Sequence, residues 1–350
     1  AATLAGFAKA VVYGVSDTAA NLAAAAGAAL NEATTLTATD AATVAQAATI
    51  HNATNSDVTS VTVVSDTFAN IINAVNDAAV TAAVTIIGTG NASITDAQHD
   101  ALAGKTTGSG SNTLTLTDAA SITAIETVEA YVLGNFTNSI TLTSSAGQVV
   151  TGGTGADTIT GGTGADTITG GAGIDVITTG TGADKVSFFA TAVAGSVADY
   201  DLVSDFTAGT DDVVALDTAF SWFNGTSDGV VVLATGTTMN ALHTANNNFT
   251  VGTISTNVVT HTFVTFLAGT STITQLEGTI ATALGAASNA NFPTTDNILI
   301  AIDDGTHTGL VRVVSNGAGA VIGTDELSLI GILQNVPNAT TLVAGDFAFV

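Results

Sequence analysis

The chain has 350 residues, no cysteine and a formal net charge of −25, because 29 acidic residues face only 4 basic ones. This balance excludes nucleic acid as a partner, since neutralising phosphates requires Lys and Arg. The lack of cysteine excludes a disulfide framework. The most apolar stretch, residues 19–30, is too short to cross a bilayer, so we expect a protein that does not span a membrane.

Residues 1–133 alternate short strand patterns with Ala-rich helical stretches. Strand patterns end at Asp17, Asp40 and Asp66, and an Ala-rich segment follows each of them. Asp at these positions is predicted to cap the helix that follows. The spacing suits one strand and one helix per repeat, which predicts a β-rich α/β fold that begins as an α/β solenoid with a parallel sheet. The helical signal fades near Glu126, and we expect the sheet to run on into the next segment.

Residues 152–187 are four consecutive nonapeptides of the form G-G-x-G-x-D-x-U-x, where U is a large apolar residue. The glycines permit positive φ angles and bring carbonyl oxygens close to an ion. The Asp at the sixth position adds a carboxylate oxygen of the kind that Ca²⁺ prefers. The residue at the eighth position is the centre of a three-residue strand and points inward. The predicted inward residues are Ile159, Ile168, Ile177 and Val186. The alternative is a Gly/Thr-rich β-solenoid without metal, which has no need for an Asp in every turn.

The nonapeptides resemble the RTX (repeats-in-toxin) family of secreted calcium-binding proteins. The resemblance implies a parallel β-roll over residues 134–190 with two nonapeptides per coil, so that alternate repeats stack on the same side. We then expect two well-formed calcium sites, Asp157 with the 170–175 turn and Asp166 with the 179–184 turn. One apolar residue per strand makes a thin core, so the roll should need its metal to fold. The fourth repeat is the weakest, because Thr179 replaces its first glycine and Lys185 follows its Asp.

Residues 201–213 resemble the D-x-I-x-D-F-x-x-G-x-D-x-I element that follows β-rolls in RTX proteases and surface-layer proteins. In that family the element caps the roll, and its acids can ligate calcium. The alternative is an ordinary β-hairpin with polar turns. The predicted metal ligands are the first, third and sixth residues of each nonapeptide and three acids of the cap: Gly152, Thr154, Asp157, Gly161, Thr163, Asp166, Gly170, Ala172, Asp175, Thr179, Thr181, Asp184, Asp201, Asp205 and Asp211.

Residues 191–350 are predicted to hold this cap and a β-rich module with one helix near residues 273–284. Strand patterns begin at Asn297, Gly309 and Glu326, and residues 346–350 are an acid followed by hydrophobic residues. These features resemble the C-terminal module of type I secreted RTX proteins, which implies an export signal read by an ATP-driven channel. The five terminal residues alone would also fit an edge strand. Since the only methionine is Met239, we expect a processed or partial form of a longer product.

We predict that the chain is not an enzyme and that Ca²⁺ is its only cofactor. None of the 5 histidines lies in an H-E-x-x-H arrangement. Residues 225–229 match G-x-S-x-G around Ser227, but the sequence shows neither the buried strand nor the helix that a nucleophile elbow requires. Asp96, His99 and Asp100 share one helical face, which we interpret as a solvated polar surface.

Together these features predict a secreted, calcium-dependent structural protein of the bacterial cell surface that self-assembles into a surface layer or an extracellular filament. The expected partners are further copies of the chain and the type I secretion machinery, and cell-surface polysaccharide is a further candidate. One alternative is an RTX adhesin or biofilm matrix protein, which ligand-dependent attachment without ordered assembly would favour. The other is the non-catalytic C-terminal part of a secreted RTX enzyme, which a catalytic domain upstream of Ala1 would favour.

Overall fold

A computed structural model of the chain forms two compact units, Ala1–Val132 and Leu133–Val350. It describes residues 14–25, 35–52, 59–74, 78–104, 106–108, 112–188, 200–209, 211–216, 231–232, 252–253, 266–269, 271–284, 297–314, 327–337, 341–342 and 346–349. The G-x-S-x-G match around Ser227 lies outside these residues. Within the described ranges, every helix is too short or too polar to cross a bilayer.

In the first unit, short strands alternate with short helices. The strands are β1 (Gly14–Asp17), β2 (Thr35–Ala38), β3 (Thr59–Ser60), β4 (Val63–Thr67), β5 (Thr85–Thr89), β6 (Ala92–Ile94), β7 (Thr106–Gly108), β8 (Thr113–Leu116), β9 (Ser121–Thr123) and β10 (Ala130–Val132). The helices are α1 (Ala19–Ala24), α2 (Val44–Asn52), α3 (Phe68–Asn73), α4 (Ala78–Ala82) and α5 (Asp96–Leu102). Parallel pairing joins β1–β2–β3, β4–β5–β7 and β6–β8–β10. Between two paired strands the chain therefore returns to the same end of the sheet, through a helix, a turn or a strand of another sheet.

The predicted helix caps of the first unit are wrong, by one residue at Asp17 and Asp66 and by three at Asp40, where Thr43 precedes α2 and accepts from the amide of Gln46. Thr18 and Thr67 are the N-caps of α1 and α3, and each accepts a hydrogen bond from the amide three residues on. Asp17 and Asp66 precede these caps, and each accepts a hydrogen bond from the side chain of the Asn four residues on, Asn21 or Asn70. The Thr hydroxyl therefore accepts the hydrogen bond from the helix amide that the Asp was expected to accept. The Asp carboxylate bonds to the Asn side chain in the first turn instead.

The prediction of a solvated polar face on α5 is wrong for His99, although Asp100 is exposed and Asp96 is half-buried. His99 is only 1% exposed and its Nε2 lies 3.3 Å from the hydroxyl of Tyr131, which is itself buried. The Tyr131 hydroxyl accepts a hydrogen bond from the amide of Ile125 at 2.8 Å. It can therefore donate its own proton to His99 in the neutral tautomer that leaves Nε2 unprotonated. Burial lowers the pKa of His99, although the charges of Asp100 and Asp96 oppose the shift.

The regular elements described in the second unit are almost all strands. They are β11 (Ser139–Thr141), β12 (Val149–Thr151), β13 (Thr158–Thr160), β14 (Thr167–Thr169), β15 (Val176–Thr178), β16 (Lys185–Phe188), β17 (Asp201–Val203), β18 (Val213–Leu216), β19 (Val231–Val232), β20 (Gly252–Thr253), β21 (Asn297–Asp303), β22 (Thr308–Val314), β23 (Leu327–Leu333) and β24 (Phe347–Phe349). One helix of this unit is described, α6 (Ile273–Leu284). It confirms the helix predicted near residues 273–284.

From β11 to β18, successive strands of the second unit join two sheets alternately. One parallel series is β12–β14–β16–β18–β24, and the other is β11–β13–β15–β17–β23. The strand of the first nonapeptide therefore pairs with that of the third, and the second with the fourth. This confirms two nonapeptides per coil and a parallel β-roll. The roll core is also as predicted, because Ile159, Ile168, Ile177 and Val186 are each 0% exposed.

Beyond the roll, strands of the second sheet no longer all pair in parallel. Strands β22 and β21 add to β23 in antiparallel order, and α6 packs on this part through Ile273, Leu276 and Ile280. The terminal strand β24 pairs with β18, and Oδ1 of Asp346 accepts a hydrogen bond from the amide of Gly209 at 2.9 Å. The acid-then-hydrophobic tail is thus part of a sheet in the folded chain.

Candidate metal centre

The Asp residues of the first and third nonapeptides form a ladder along one side of the roll. Oδ1 of Asp157 accepts a hydrogen bond from the amide of Asn138 at 2.8 Å, and Oδ1 of Asp175 accepts one from the amide of Asp157 at 2.7 Å. Asp201 continues the series by accepting from the amide of Asp175 at 3.1 Å. Each carboxylate therefore holds the coil before it, because its partner is a main-chain group one coil away.

A second ladder runs along the other side. Asp166 accepts from the amide of Gln148 at 2.7 Å, and Asp184 accepts from the amide of Asp166 at 2.8 Å. The next member is Asp212, which lies 3.4 Å from the amide of Asp184. The predicted ligand Asp211 instead has an exposed side chain. Strand register explains the difference, since Lys185 pairs with Val213 and so places Asp212 level with Asp184.

The first glycine of each turn lies against oxygen atoms of two coils. A methyl group added to Gly152 would collide with the carbonyl oxygen of Gly170 and lie 3.0 Å from Oδ2 of Asp157. The same addition at Gly161 would collide with the carbonyl oxygen of Thr179 and lie 3.1 Å from Oδ2 of Asp166. A carbonyl oxygen of one coil and a carboxylate oxygen of the preceding coil therefore converge at each of these glycines.

The cap supplies further carboxylates at the end of the second ladder. Asp205 accepts hydrogen bonds from the amide and hydroxyl of Thr179 at 2.7 and 3.0 Å and from the amide of Gly180 at 2.9 Å. Oδ2 of Asp212 accepts from the amide of Thr207 at 2.7 Å. The Thr that replaces the first glycine of the fourth repeat is thus bonded to the cap, and the irregular repeat is the one that the cap covers.

The third residue of each turn was also a predicted ligand. In the third and fourth turns its main-chain amide forms a hydrogen bond to the neighbouring coil. The amides of Ala172 and Thr181 donate to the carbonyl oxygens of Gly153 and Gly162 at 2.9 and 3.0 Å. The side chains of Thr154 and Thr163 are exposed, so these residues could contribute only main-chain oxygen from the interior of the turn. Asp201 is buried in the first ladder, as described above.

Buried oxygens without a hydrogen bond occur in both ladders, at Oδ2 of Asp157 in the first and Oδ2 of Asp184 in the second. A buried charged oxygen without a partner is costly unless a cation lies beside it. The donor set of carboxylate and carbonyl oxygens is the one that Ca²⁺ prefers. The residues present therefore fit calcium.

The electrostatics of the turns also favour a cation. Burial raises the pKa of Asp157 above its ordinary value, despite hydrogen bonds from Asn138. Burial and then the nearby charges of Asp212, Asp166 and Asp205 raise the pKa of Asp184 to about 6. Carboxylates crowded in this way resist ionisation, and a bound divalent cation would reverse that effect.

No group of three or more His, Asp or Glu side chains gathers into a metal site within the part of the chain that is described. Each site of the roll has to combine a few carboxylates with main-chain oxygens from neighbouring turns. Such a site is recognised by its backbone geometry, which depends on glycine, more than by a cluster of acids.

Comparison with known protein families agrees with this geometry. The model of the RTX calcium-binding nonapeptide repeat matches residues 151–186 in four copies. No curated protein matches the chain. RTX nonapeptide repeats bind Ca²⁺, which confirms calcium as the cofactor. Residues 151–186 are therefore RTX-type calcium-binding repeats, and they are folded as a parallel β-roll.

Proposed function

We propose that the chain is a secreted, calcium-dependent structural protein of the bacterial surface that assembles into a surface layer or an extracellular filament. The observation that carries the proposal is the pair of buried aspartate ladders. A chain with 4 basic and 29 acidic residues lacks the cations to neutralise these carboxylates itself. An external cation has to do so, and RTX nonapeptides take Ca²⁺ for that purpose.

Calcium would make folding depend on location. Sites of extracellular modules bind with a Kd on the order of 10⁻⁴–10⁻³ M, so they would stay empty where calcium is scarce. The thin core of one apolar side chain per strand would then leave the roll unfolded. RTX proteins are typically secreted, and a chain that folds only outside the cell suits export by the type I machinery. In this proposal residues 191–350 include the module that this machinery reads.

Calcium would act a second time between chains. A net charge of −25 makes subunits repel one another. Calcium bound at surface carboxylates would reduce that repulsion and allow repeated head-to-tail contacts, which produce lattices or fibres. The strand–helix repeats of residues 1–133, taken as an α/β solenoid, would supply the extended surface for those contacts or for cell-surface polysaccharide. This role requires no catalytic activity.

The test is chelation combined with imaging of the purified full chain. Far-UV circular dichroism and negative-stain electron micrographs are recorded in Ca²⁺, in EGTA, and in EGTA followed by excess Ca²⁺. The proposal predicts loss and recovery of both the β signal and the ordered assemblies. Asp211→Asn, which alters only an exposed side chain, serves as the control that keeps both.

Two outcomes would contradict the proposal. If fold and assemblies both persist unchanged in EGTA, the calcium-dependent scaffold is wrong. If the fold responds to calcium but ordered assemblies never form, the structural role is wrong. In that second case, attachment to a carbohydrate surface would favour an adhesin, and a catalytic domain encoded upstream of Ala1 would favour the C-terminal part of a secreted enzyme.

A further inference from the structure

Asn138 occupies the position of a ladder Asp in the turn that precedes the nonapeptides. Strand β11 pairs with β13 so that Ser139 lies opposite Thr158, which places Asn138 level with Asp157. The amide of Asn138 donates to Asp157 at 2.8 Å, as the amide of Asp157 donates to Asp175 at 2.7 Å. The first ladder therefore begins with a neutral carboxamide instead of a carboxylate.

The side-chain nitrogen of Asn138 is surrounded by oxygen. Nδ2 lies 3.2 Å from the carbonyl oxygen of Gly134, 2.8 Å from that of Phe136 and 3.0 Å from Oδ1 of Asp157. All three atoms are acceptors, so the nitrogen and not the oxygen of the carboxamide must face them. Asn138 is only 2% exposed, so its carboxamide is shielded from bulk solvent.

These partners are of the type that a calcium ion collects. Two main-chain carbonyls and a carboxylate are hard oxygen ligands. The carboxamide nitrogen carries partial positive charge and offers two hydrogens, so it can satisfy such oxygens by hydrogen bonding where a cation would satisfy them by coordination.

In the nonapeptide turns, the side chain at the equivalent position accepts hydrogen bonds and does not donate them. Oδ2 of Asp166 accepts a hydrogen bond from the amide of Gly162, in its own turn, at 3.0 Å. Oδ2 of Asp157 and Oδ2 of Asp184 are buried without a hydrogen bond. The side chain is thus an acceptor in the repeats, whereas in the turn at residues 134–138 it is a donor to the turn's own carbonyl oxygens.

We infer that the side-chain amide of Asn138 replaces a calcium ion at the start of the first ladder. The turn at residues 134–138 is then held to the next coil without metal and gives the calcium-dependent coils a preformed edge on which to stack. The inference depends on calcium binding by the repeats and not on what the folded protein does outside the cell.

The test compares three variants of the full chain with the wild type. Bound calcium per chain is counted by equilibrium dialysis and elemental analysis at saturating Ca²⁺, and thermal unfolding is followed by circular dichroism. Asn138→Asp supplies the missing carboxylate and should bind one more ion per chain than the wild type. Asn138→Ala removes the donor and should keep the calcium count while its unfolding temperature falls.

Asn91→Asp is the matched control. It adds the same charge at an exposed position whose oxygen, retained in Asp, accepts from the amide of Thr113, so its calcium count should equal that of the wild type. An unchanged count in folded Asn138→Asp would overturn the inference. So would the loss of one ion in Asn138→Ala, because that would show the wild-type carboxamide to be a calcium ligand. The Ala variant decides the matter if the Asp variant does not fold.

Discussion

Oδ1 of Asp184 accepts a hydrogen bond from the main-chain amide of Asp166, 18 residues earlier, at 2.8 Å. That separation is two nonapeptides, or one coil of the roll. Oδ2 of the same Asp184 is buried without a hydrogen bond. The carboxylate therefore has two roles: one oxygen fixes the spacing of the coils, and the other is left for a cation. This division explains why the motif requires Asp, whose short side chain reaches the amide of the previous coil.

Asp212 and Asp211 are adjacent acids that the structure predicts to behave differently. Asp212 is buried beside the amides of Asp184 and Thr207, whereas Asp211 is exposed. Asp212→Asn removes a negative charge from the end of the second ladder. We expect it to weaken calcium binding on the order of tenfold, equivalent to about 1.4 kcal/mol.

Isothermal titration calorimetry of both variants checks this prediction. Asp211→Asn changes the net charge by the same amount and should leave the calcium affinity within experimental error of the wild type. Equal losses of affinity in the two variants would show that the cap acts through overall charge and not through Asp212.

Gly161 is predicted to tolerate no side chain. An added methyl group would collide with the carbonyl oxygen of Thr179 and crowd Oδ2 of Asp166. We expect Gly161→Ala to lower both the calcium affinity and the unfolding temperature of the calcium-loaded roll, because the turn has to move. Gly278 lies in α6 with open space around its Cα, so Gly278→Ala is the control and should be stabilising by up to about 1 kcal/mol. A roll that binds calcium normally with Ala at position 161 would contradict the proposed geometry of the turn.

Ile168 is the single inward side chain of β14, and it is 0% exposed. Ile168→Ala removes buried methylene groups from a core with one apolar side chain per strand, so few neighbouring side chains can fill the space that is left. We expect a loss of roughly 2–5 kcal/mol in the free energy of unfolding with calcium bound. Its neighbour Thr169 faces outward and is half-buried, so Thr169→Ala should cost less than about 1 kcal/mol. Denaturant titrations at saturating calcium measure both values, and similar losses would argue against an inward column of apolar residues.

His99 makes the first unit sensitive to acid. Burial lowers its pKa in the folded state below the ordinary value of 6.5, and Asp100 and Asp96 only partly oppose the shift. The unfolded state therefore binds a proton more readily, so the stability contributed by neutral His99 is present above about pH 6.5 and is lost as the pH falls below it. Hydrogen exchange of residues 94–104 should show weaker protection at pH 5.5 than at pH 7.5, after correction for intrinsic rates.

A histidine pair controls this experiment. His99→Phe removes the ionisation and should flatten the pH dependence, even though it also removes the hydrogen bond to Tyr131. His51→Gln removes another histidine of the same unit, at the end of α2, and should leave the dependence unchanged. A wild-type unit with equal protection at both pH values would refute the assignment.

The sequence predicted those features that a short repeat determines by itself. Period and chemistry within nine residues sufficed for the calcium motif and the inward Ile and Val positions, whereas the pairing of alternate strands was expected from the resemblance to RTX repeats. The role of Asp212 was not predictable, because the cap is not a nonapeptide and only strand register places this residue level with Asp184. Burial of His99 depends on Tyr131, which lies 32 residues further along the chain. The bond from Gly209 to Asp346 spans 137 residues and has no local signal.

The measurement that tests the central claim most directly is calcium-dependent hydrogen exchange of the full chain. The amides that link the coils include those of Gly152, Gly161 and Val176, each bonded to the neighbouring coil at 2.7–2.9 Å. If calcium holds the ladders together, EGTA should abolish protection across residues 152–188 while residues 63–74 and 84–102 of the first unit keep theirs, and added calcium should restore it. Protection of residues 152–188 that is the same in EGTA and in calcium would contradict the account.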